Sequence, residues 1–151
     1  MAGPLESSIQ TLEIVKTEEI KAPVDLVFDS ILASLGPESE VGHKKFPMTF
    51  EAWPGGRWYR DLGNNAGHFW GHVQVIKPPT LIEICGPMFM SYPAMSHLQY
   101  RITSDGPTLS RLQLIHKAIG LISPEHREGV NQGWTAEVAD IRARAERLAK
   151  K

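Results

Sequence analysis

Two polar side chains in the predicted strands have the chemistry to hold a polar group of a ligand. Arg60, in RWYRDL, carries a permanent positive charge, and His116, in TLSRLQLIHKA, can donate or accept a proton near neutral pH. With the phenol of Tyr100 they would form an acid–base site if all three point inward. The other interpretation is that Arg60 and His116 are half-exposed strand residues whose hydrogen bonds are satisfied locally.

Other patterns of catalysis and metal binding are missing from the sequence. His68 and His72 share one strand face, but four residues at ~3.3 Å each place them about 13 Å apart, too far to share a zinc ion. The one cysteine, Cys85, lies in the apolar run LIEIC, which predicts a buried, reduced thiol. There is no HExxH, GxSxG or GxGxxG motif. The sequence therefore assigns no catalytic residue, no metal and no cofactor.

Three of the four tryptophans lie between residues 51 and 73, around two glycine-containing turns. Strand alternation places Phe69 on the face of Gly71, opposite Trp70. Strand alternation predicts two inward-facing sets, which are Leu98, Tyr100 and Ile102, and Leu112, Leu114 and His116. Inward residues of several strands, together with the last helix, are predicted to line one apolar chamber; the alternative is a solid core. The predicted ligand-binding residues are Phe28, Trp58, Arg60, Phe69, Phe89, Tyr100, Leu112, Leu114, His116 and Trp134.

The volume of such a chamber limits what the chamber can contain. Ligand pockets measure roughly 300–1,000 Å³. A dry cavity costs about 24 cal/mol per Å³, so that even the lower end would cost about 7 kcal/mol. That cost is comparable with the whole stability of a domain, ~5–15 kcal/mol. We therefore expect the chamber to be small, to hold water against polar walls, or to bind an apolar ligand.

The segment CGPMFMSYPAMSHL combines three methionines with Phe89 and Tyr92 around two prolines. Proline interrupts strand pairing, so the segment is predicted to be a loop or a sheet edge. Its apolar side chains favour a lid whose methionines adapt to a ligand, or a patch for self-association. The alternative is a loop folded onto its own core.

The beginning of the chain changes from strand to helix periodicity. β-branched residues in loose alternation over residues 9–22 predict a first strand. Apolar residues then recur at helical spacing from Val24 to Leu35 and predict an amphipathic helix. Gly36, expected in the left-handed conformation, ends this helix. The following ESEVGHKKFP is predicted to be a polar connector.

The middle of the chain predicts an antiparallel meander. Pro-Gly-Gly joins MTFEAW to RWYRDL, Lys-Pro-Pro joins HFWGHVQVI to TLIEIC, and Asp-Gly-Pro joins SHLQYRITS to TLSRLQLIHKA. Short links between successive strands favour antiparallel pairing.

The last element is a helix with an apolar stripe. Ser123 is suited to cap its N-terminus. Gly129 and Gly133 each cost ~1 kcal/mol inside a helix. The regular helix is therefore predicted to begin only near Asn131 or Trp134.

Length and composition indicate an ordinary globular chain. The 151 residues are 42% apolar and 22% charged, with a net charge of −1, which argues against nucleic acid as a partner. No signal peptide and no membrane span is visible. We expect one domain over residues 1–151, with fraying at about residues 1–7 and 149–151, in the cytoplasm.

The chain resembles the START-like superfamily, also called SRPBCC. The residues that carry the resemblance are EIKAPVDLVFDSI, WPGGRWY, GHVQVIKPPTLIEI, TLSRLQLIH and GWTAEVADI, in the expected order. Within that superfamily the chain is similar to the bacterial branch named after the activator of the heat-shock protein 90 ATPase. The resemblance implies an α+β helix-grip fold. In this fold a curved antiparallel sheet of about six to seven strands wraps a long C-terminal helix, with one or two short helices after the first strand and a cavity beneath the long helix.

The same resemblance implies three functions, because the superfamily includes cyclases, lipid carriers, hormone receptors and co-chaperones. The first is non-catalytic binding of a small apolar or amphipathic molecule. The second is an enzyme of the polyketide cyclase/aromatase or hydrolase kind in the same chamber. The third is a co-chaperone-like interaction module that stimulates an ATPase. A homodimer is left open by the sequence.

Overall fold

The computed structural model describes residues 8–151, so the fraying predicted for residues 1–7 lies outside the described residues, and that for residues 149–151 stays a prediction. The elements, in chain order, are β1 (Gln10–Ile20), α1 (Val24–Leu35), β2 (Glu40–Val41), β3 (Lys44–Lys45), β4 (Thr49–Phe50), β5 (Arg57–Gly63), β6 (Ala66–Lys77), β7 (Leu81–Gly86), β8 (Ala94–Ser104), β9 (Ser110–Gly120) and α2 (Pro124–Ala149).

Seven strands form one antiparallel sheet in the order β1-β9-β8-β7-β6-β5-β4. Strands β4 to β9 follow the chain as a meander, and β1 pairs with β9, which brings the first strand beside the last. The strands β2 and β3 form a separate two-stranded ribbon within the segment predicted to be a polar connector. The α+β helix-grip architecture predicted from the sequence is confirmed.

The concave face of the sheet is covered by α1 and α2. Every second residue of β8 and β9 is buried there, as the strand periodicity predicts. The residues predicted to point inward on these two strands are all buried, and they are Leu98, Tyr100, Ile102, Leu112, Leu114 and His116.

A β-bulge at Trp70 changes the orientation of two aromatic side chains. Trp58 pairs with Gly71, whereas the next residue of β5 pairs with Phe69, so Trp70 is the extra residue. Trp70 is consequently buried, while Phe69 is 44% exposed. The prediction that Phe69 shares the face of Gly71 is wrong, because the extra residue shifts the alternation, whereas Phe69 and Trp70 differ in exposure, as predicted.

Helix α1 ends at Leu35, as predicted, but by a different geometry. Gly36 has φ −113° and ψ −121°, which is not the expected left-handed conformation. A Cβ at Gly36 would lie 3.2 Å from the Leu32 carbonyl oxygen, so close backbone approach favours glycine there. The Leu35 carbonyl, unpaired within the helix, accepts a 2.8 Å hydrogen bond from the Trp58 indole, which joins α1 to β5.

Helix α2 is continuous over its 26 residues. Ser123 caps it, since its hydroxyl accepts a 3.2 Å hydrogen bond from the backbone N–H of His126. The prediction that the regular helix begins only near Asn131 is wrong. Packing of the buried stripe of α2 against α1 and β1 outweighs the propensity cost of Gly129 and Gly133.

We expect Gly133→Ala to stabilise the protein by about 1 kcal/mol, because the helix gains propensity and the added Cβ meets no atom within 4 Å. Urea unfolding measures the change. The matched variant Gly71→Ala should destabilise it by about 1–3 kcal/mol, because its Cβ would lie 2.7 Å from the Cys85 carbonyl oxygen. Equal effects of the two variants would contradict this packing.

Candidate functional site

A cavity of about 770 Å³ lies between the sheet and α2. Its volume is within the range of ligand pockets, roughly 300–1,000 Å³. Strands β5 and β6 contribute one wall, α2 the opposite wall, and the β7–β8 loop and the segment carrying β2 and β3 the remaining sides. Exposed residues at the rim, among them Val41 and Phe69, show that the cavity opens to solvent.

Small residues on α2 leave this space open. Gly129, Gly133 and Ala136 follow one another at helical spacing and all line the cavity. The large apolar residues Val138 and Ile141 belong to the buried stripe and pack into the core instead. Helix α2 therefore covers the sheet without filling the space in front of β5 and β6.

An aromatic wall, formed by Trp58, Trp70, Phe89 and Trp134, lines the cavity. Successive ring centroids are 5.0 Å apart for Trp58 and Trp70, 5.6 Å for Trp70 and Phe89, and 5.9 Å for Phe89 and Trp134. The first two pairs meet edge to face, which is a favourable geometry for aromatic rings. The wall links β5, β6, the β7–β8 loop and α2.

A polar cluster of Glu137, Tyr100 and Ser34, here called the Glu137 cluster, interrupts the apolar lining. Tyr100 donates a 2.5 Å hydrogen bond to Oε2 of Glu137, and Ser34 donates one of 3.1 Å to Oε1. Among residues 8–151, Glu137 forms no ion pair with a Lys, Arg or His. Glu137 is half-buried and lines the cavity.

Burial raises the pKa of the Glu137 carboxyl from 4.5 to about 7, and the nearby Asp140 acts in the same direction. The hydrogen bonds from Tyr100 and Ser34 lower this pKa and only partly offset burial. A carboxyl with this pKa is present in both protonation states near neutral pH. It can therefore accept or release a proton inside the cavity.

Sequence reasoning missed Glu137, because a glutamate beside an apolar stripe is ordinarily assigned to the solvated face of a helix. One signal pointed to it. Gly129, Gly133 and Glu137 are spaced four residues apart, which puts two residues without side chains and one carboxyl on a single helix face.

His116 lies behind the aromatic wall rather than at the cavity surface. Its Nδ1 accepts a 2.8 Å hydrogen bond from the Trp134 indole, and its Nε2 lies 2.9 Å from the Ser96 hydroxyl. Accepting at Nδ1 requires the proton to be on Nε2, so Nε2 donates to Ser96. Burial lowers the pKa of His116 from 6.5 to about 4, and the ring is neutral. His116 therefore positions Trp134.

Arg60 also lies outside the cavity lining. Its Cζ is 3.7 Å from the ring centroid of Phe46, a cation–π contact, and Phe46 itself lines the cavity. Nη1 of Arg60 is buried without a hydrogen-bond partner among the described residues. Both predicted polar anchors, Arg60 and His116, thus support aromatic residues of the lining.

The predicted ligand-binding residues other than Arg60 and His116 differ in how close they lie to the cavity. Trp58, Phe89 and Trp134 meet in the aromatic wall, and Phe69 lies at the rim, where it is 44% exposed. Tyr100 reaches the site only through its hydroxyl group. The side chains buried in the core and absent from the cavity lining are Phe28, Leu112 and Leu114. Contact of any of these residues with a ligand stays a prediction.

The apolar segment between β7 and β8 is a loop, as predicted. Met88 and Met90 are buried, so the loop is folded onto the core. Phe89 is 37% exposed and packs on Trp134, so the same loop also covers part of the cavity. Met88 adopts φ +58° and donates its N–H to the Trp70 carbonyl oxygen at 2.8 Å, which fixes the loop beside the bulge.

The cysteine, metal sites and membrane spans are the remaining features on which the sequence made a prediction. Cys85 is half-buried, with its Sγ 3.4 Å from the side-chain oxygen of Gln74, and is less buried than predicted. Within residues 8–151, no group of three or more His, Cys, Asp and Glu side chains is arranged to hold a metal ion. No helix in that part of the chain combines the length and apolarity needed to cross a membrane.

Several solved structures share this fold. An uncharacterised protein from Rhizobium leguminosarum matches with a TM-score of 0.70 and 16% identity, over 93% of this chain and 97% of that one. A protein of unknown function from Staphylococcus aureus matches with a TM-score of 0.69 and 8% identity, over 96% of this chain and 99% of that one. An aromatase/cyclase from Streptomyces sp. R1128 matches with a TM-score of 0.61 and 15% identity, over 93% of this chain and 94% of that one.

Sequence comparison adds no family assignment. No protein-family model matches the chain, and no curated protein is similar to it. Membership of the branch named after the heat-shock protein 90 ATPase activator therefore stays a prediction. At identities of 8–16% the structural matches show the fold alone.

Proposed function

We propose that this protein binds a small amphipathic molecule in the cavity between the sheet and α2, without transforming it. The observation that carries the proposal is a ligand-sized space with an aromatic wall and one polar cluster. The aromatic wall suits the apolar body of the ligand, and the Glu137 cluster suits its polar end. Ligand pockets characteristically combine extensive apolar contact with few polar groups.

The apolar part of the lining can supply substantial binding free energy. Burial of apolar surface contributes roughly 25 cal/mol per Å², so that about 200 Å² of ligand surface contributes about 5 kcal/mol before the cost of association. The rings of Trp58 and Trp134 are less than 5% exposed, and both are held by hydrogen bonds through their indole N–H groups. Their rigid placement reduces the entropy lost when a ligand binds.

A second candidate function is acid–base catalysis at Glu137. The carboxyl pKa of about 7 is suited to proton transfer at neutral pH. One structural neighbour is an aromatase/cyclase, and ring closure followed by loss of water requires a group that moves protons. In this version, Glu137 is the group in the cavity, and Tyr100 acts through its hydrogen bond to Glu137. The predicted set of Arg60, Tyr100 and His116 is replaced, because all three lie outside the cavity lining.

The co-chaperone-like alternative receives less support. An interaction module is expected to have an exposed apolar patch without a sizeable internal chamber. The cavity of about 770 Å³ instead favours small-molecule binding. Stimulation of an ATPase stays an untested prediction.

We expect Gly133→Phe to weaken binding of the neutral fluorescent probe N-phenyl-1-naphthylamine by about tenfold or more, because the ring enters the cavity. Fluorescence titration measures the dissociation constant, and urea unfolding checks that the variant is folded. The control is Ala139→Phe, on the same helix but exposed and outside the lining. Equal probe affinity in folded Gly133→Phe, or no probe binding by the unsubstituted protein, would argue against the cavity as a binding site.

The catalytic candidate predicts turnover of a linear poly-β-ketone thioester to cyclised, dehydrated products, followed by mass spectrometry. Glu137→Gln should abolish turnover while binding of the fluorescent probe is retained, because the amide keeps the shape but cannot exchange the proton. Product formation at equal rates by both proteins would overturn the catalytic role of Glu137. Product formation by neither would leave binding without catalysis as the function.

The titration of Glu137 should be visible in the pH dependence of stability. Its pKa is higher in the folded protein than in the unfolded chain, so its stabilising contribution is complete below about pH 4.5 and is lost as pH rises through about 7. The free energy of unfolding of Glu137→Gln minus that of the unsubstituted protein should therefore increase from about pH 4.5 to about pH 7. A difference independent of pH would show that Glu137 titrates normally.

A further inference from the structure

We propose that the cavity selects a cationic amphipathic molecule, with a protonated amine and an apolar body, over neutral and anionic molecules of the same length. This inference rests on the proposed binding function and adds the chemical class of the ligand. It follows from the charge of the lining, from the surroundings of Glu137, and from the position of the aromatic wall.

The lining of the cavity is more acidic than the rest of the chain. The chain as a whole is nearly balanced, with 17 acidic and 16 basic residues. The acidic residues of the lining are Glu38, Glu40, Glu125, Glu137 and Asp140. The permanently charged basic ones are Arg144 and Arg147, and the histidines are His43, His68 and His126. Arg144 lies 3.7 Å from Glu38, so one of the two cations already has a carboxylate partner within the lining.

Glu137 has the surroundings of a counter-ion for a bound cation. Its two hydrogen bonds come from hydroxyl groups, those of Tyr100 and Ser34, and neither brings positive charge. An ionised carboxylate offers about four acceptor positions, so about two are left for a ligand that enters from the cavity. An ammonium group supplies both the charge and the donors, whereas an alcohol supplies no charge and a carboxylate is repelled.

The aromatic wall lies close to this carboxyl along α2. Trp134 precedes Glu137 by three residues, which places the two side chains next to each other on one helix face. The face of an indole ring attracts a cation as well as packing against apolar groups. An alkylamine can therefore contact Glu137 with its head and the rings of Trp58 and Trp70 with its chain.

The affinity for a cation should increase with pH, because Glu137 must ionise. Tyr100 from β8 and Ser34 from α1 are hydrogen-bonded to Glu137, and Asp140 from α2 acts on its charge. The other charged residues and the histidines of the lining are Glu38, Glu40, His43, His68, Glu125, His126, Arg144 and Arg147. Burial raises the pKa of Tyr100 well above 10, so its hydroxyl stays neutral. Because histidines also line the cavity, the comparison with Glu137→Gln, rather than the pH dependence alone, isolates the contribution of Glu137. A primary amine stays protonated like lysine.

The test is displacement of N-phenyl-1-naphthylamine by decylamine, decanol and decanoate, at about pH 6 and about pH 8. We expect decylamine to bind about tenfold more tightly than decanol at the higher pH, with decanoate weakest, and we expect this preference to shrink at the lower pH. Glu137→Gln should lose the preference for the amine while its affinity for decanol changes about twofold or less. The matched control is Glu128→Gln, an exposed glutamate of α2 outside the lining, which should keep the preference.

The outcomes separate the two proposals. If decanol or decanoate binds as tightly as decylamine, or if Glu137→Gln keeps the preference, cation selection is overturned while small-molecule binding stands. If neither the probe nor any of the three compounds binds, both proposals are overturned. A loss of the amine preference in Glu128→Gln as well would show a general charge effect and would overturn the role of Glu137.

Discussion

The hydrogen bond from the Trp134 indole to the buried His116 holds α2 to the sheet, and the rest of the site depends on it. Its two atoms are 2.8 Å apart, and His116 is in turn bonded to Ser96 on the neighbouring strand. The large ring of Trp134 sets where α2 contacts the sheet. Gly129 and Gly133, which have no side chains, set where α2 leaves a gap. The contact holds the helix in place, and the gap beside it is the cavity.

A second attachment lies one turn further along the same helix. Glu137 meets Tyr100 of β8 and Ser34 of α1, so that a carboxyl connects three elements of the fold. Such a bond stabilises the position of α2, yet it also leaves a titratable group in the cavity. Stability and chemistry therefore depend on the same side chain, which is typical of buried polar groups at functional sites.

Burial acts on two titratable groups of this region and favours the neutral form of each. It lowers the pKa of His116 to about 4 and raises that of Glu137 to about 7. At neutral pH, His116 is therefore uncharged and serves as a structural acceptor, whereas Glu137 is near its midpoint. Only Glu137 lines the cavity. Access to the cavity, rather than chemistry, therefore distinguishes Glu137, the candidate functional group, from His116, the structural group.

The strands, the helices and the meander were within reach of the sequence because they depend on local patterns, whereas the helix-grip arrangement was expected from the family resemblance. Alternation and turn residues predicted the meander, helical spacing predicted α1, and Ser123 predicted the start of α2. The inward orientation of Leu114 and His116 followed from the same alternation. These features depend on neighbours along the chain, which the sequence records directly.

Long-range packing decided the remaining features. The bulge at Trp70 comes from pairing between β5 and β6, which local alternation does not reveal. Helix α2 runs through Gly129 and Gly133 because its other face is buried. Glu137 becomes a half-buried, hydrogen-bonded carboxyl only because Tyr100 and Ser34 approach it from elements far away in the chain. The sequence by itself determined which segments form strands and helices, since hydrophobic periodicity is local. Only the tertiary structure decided the volume of the cavity and the charge within it, since both depend on the distances between those segments.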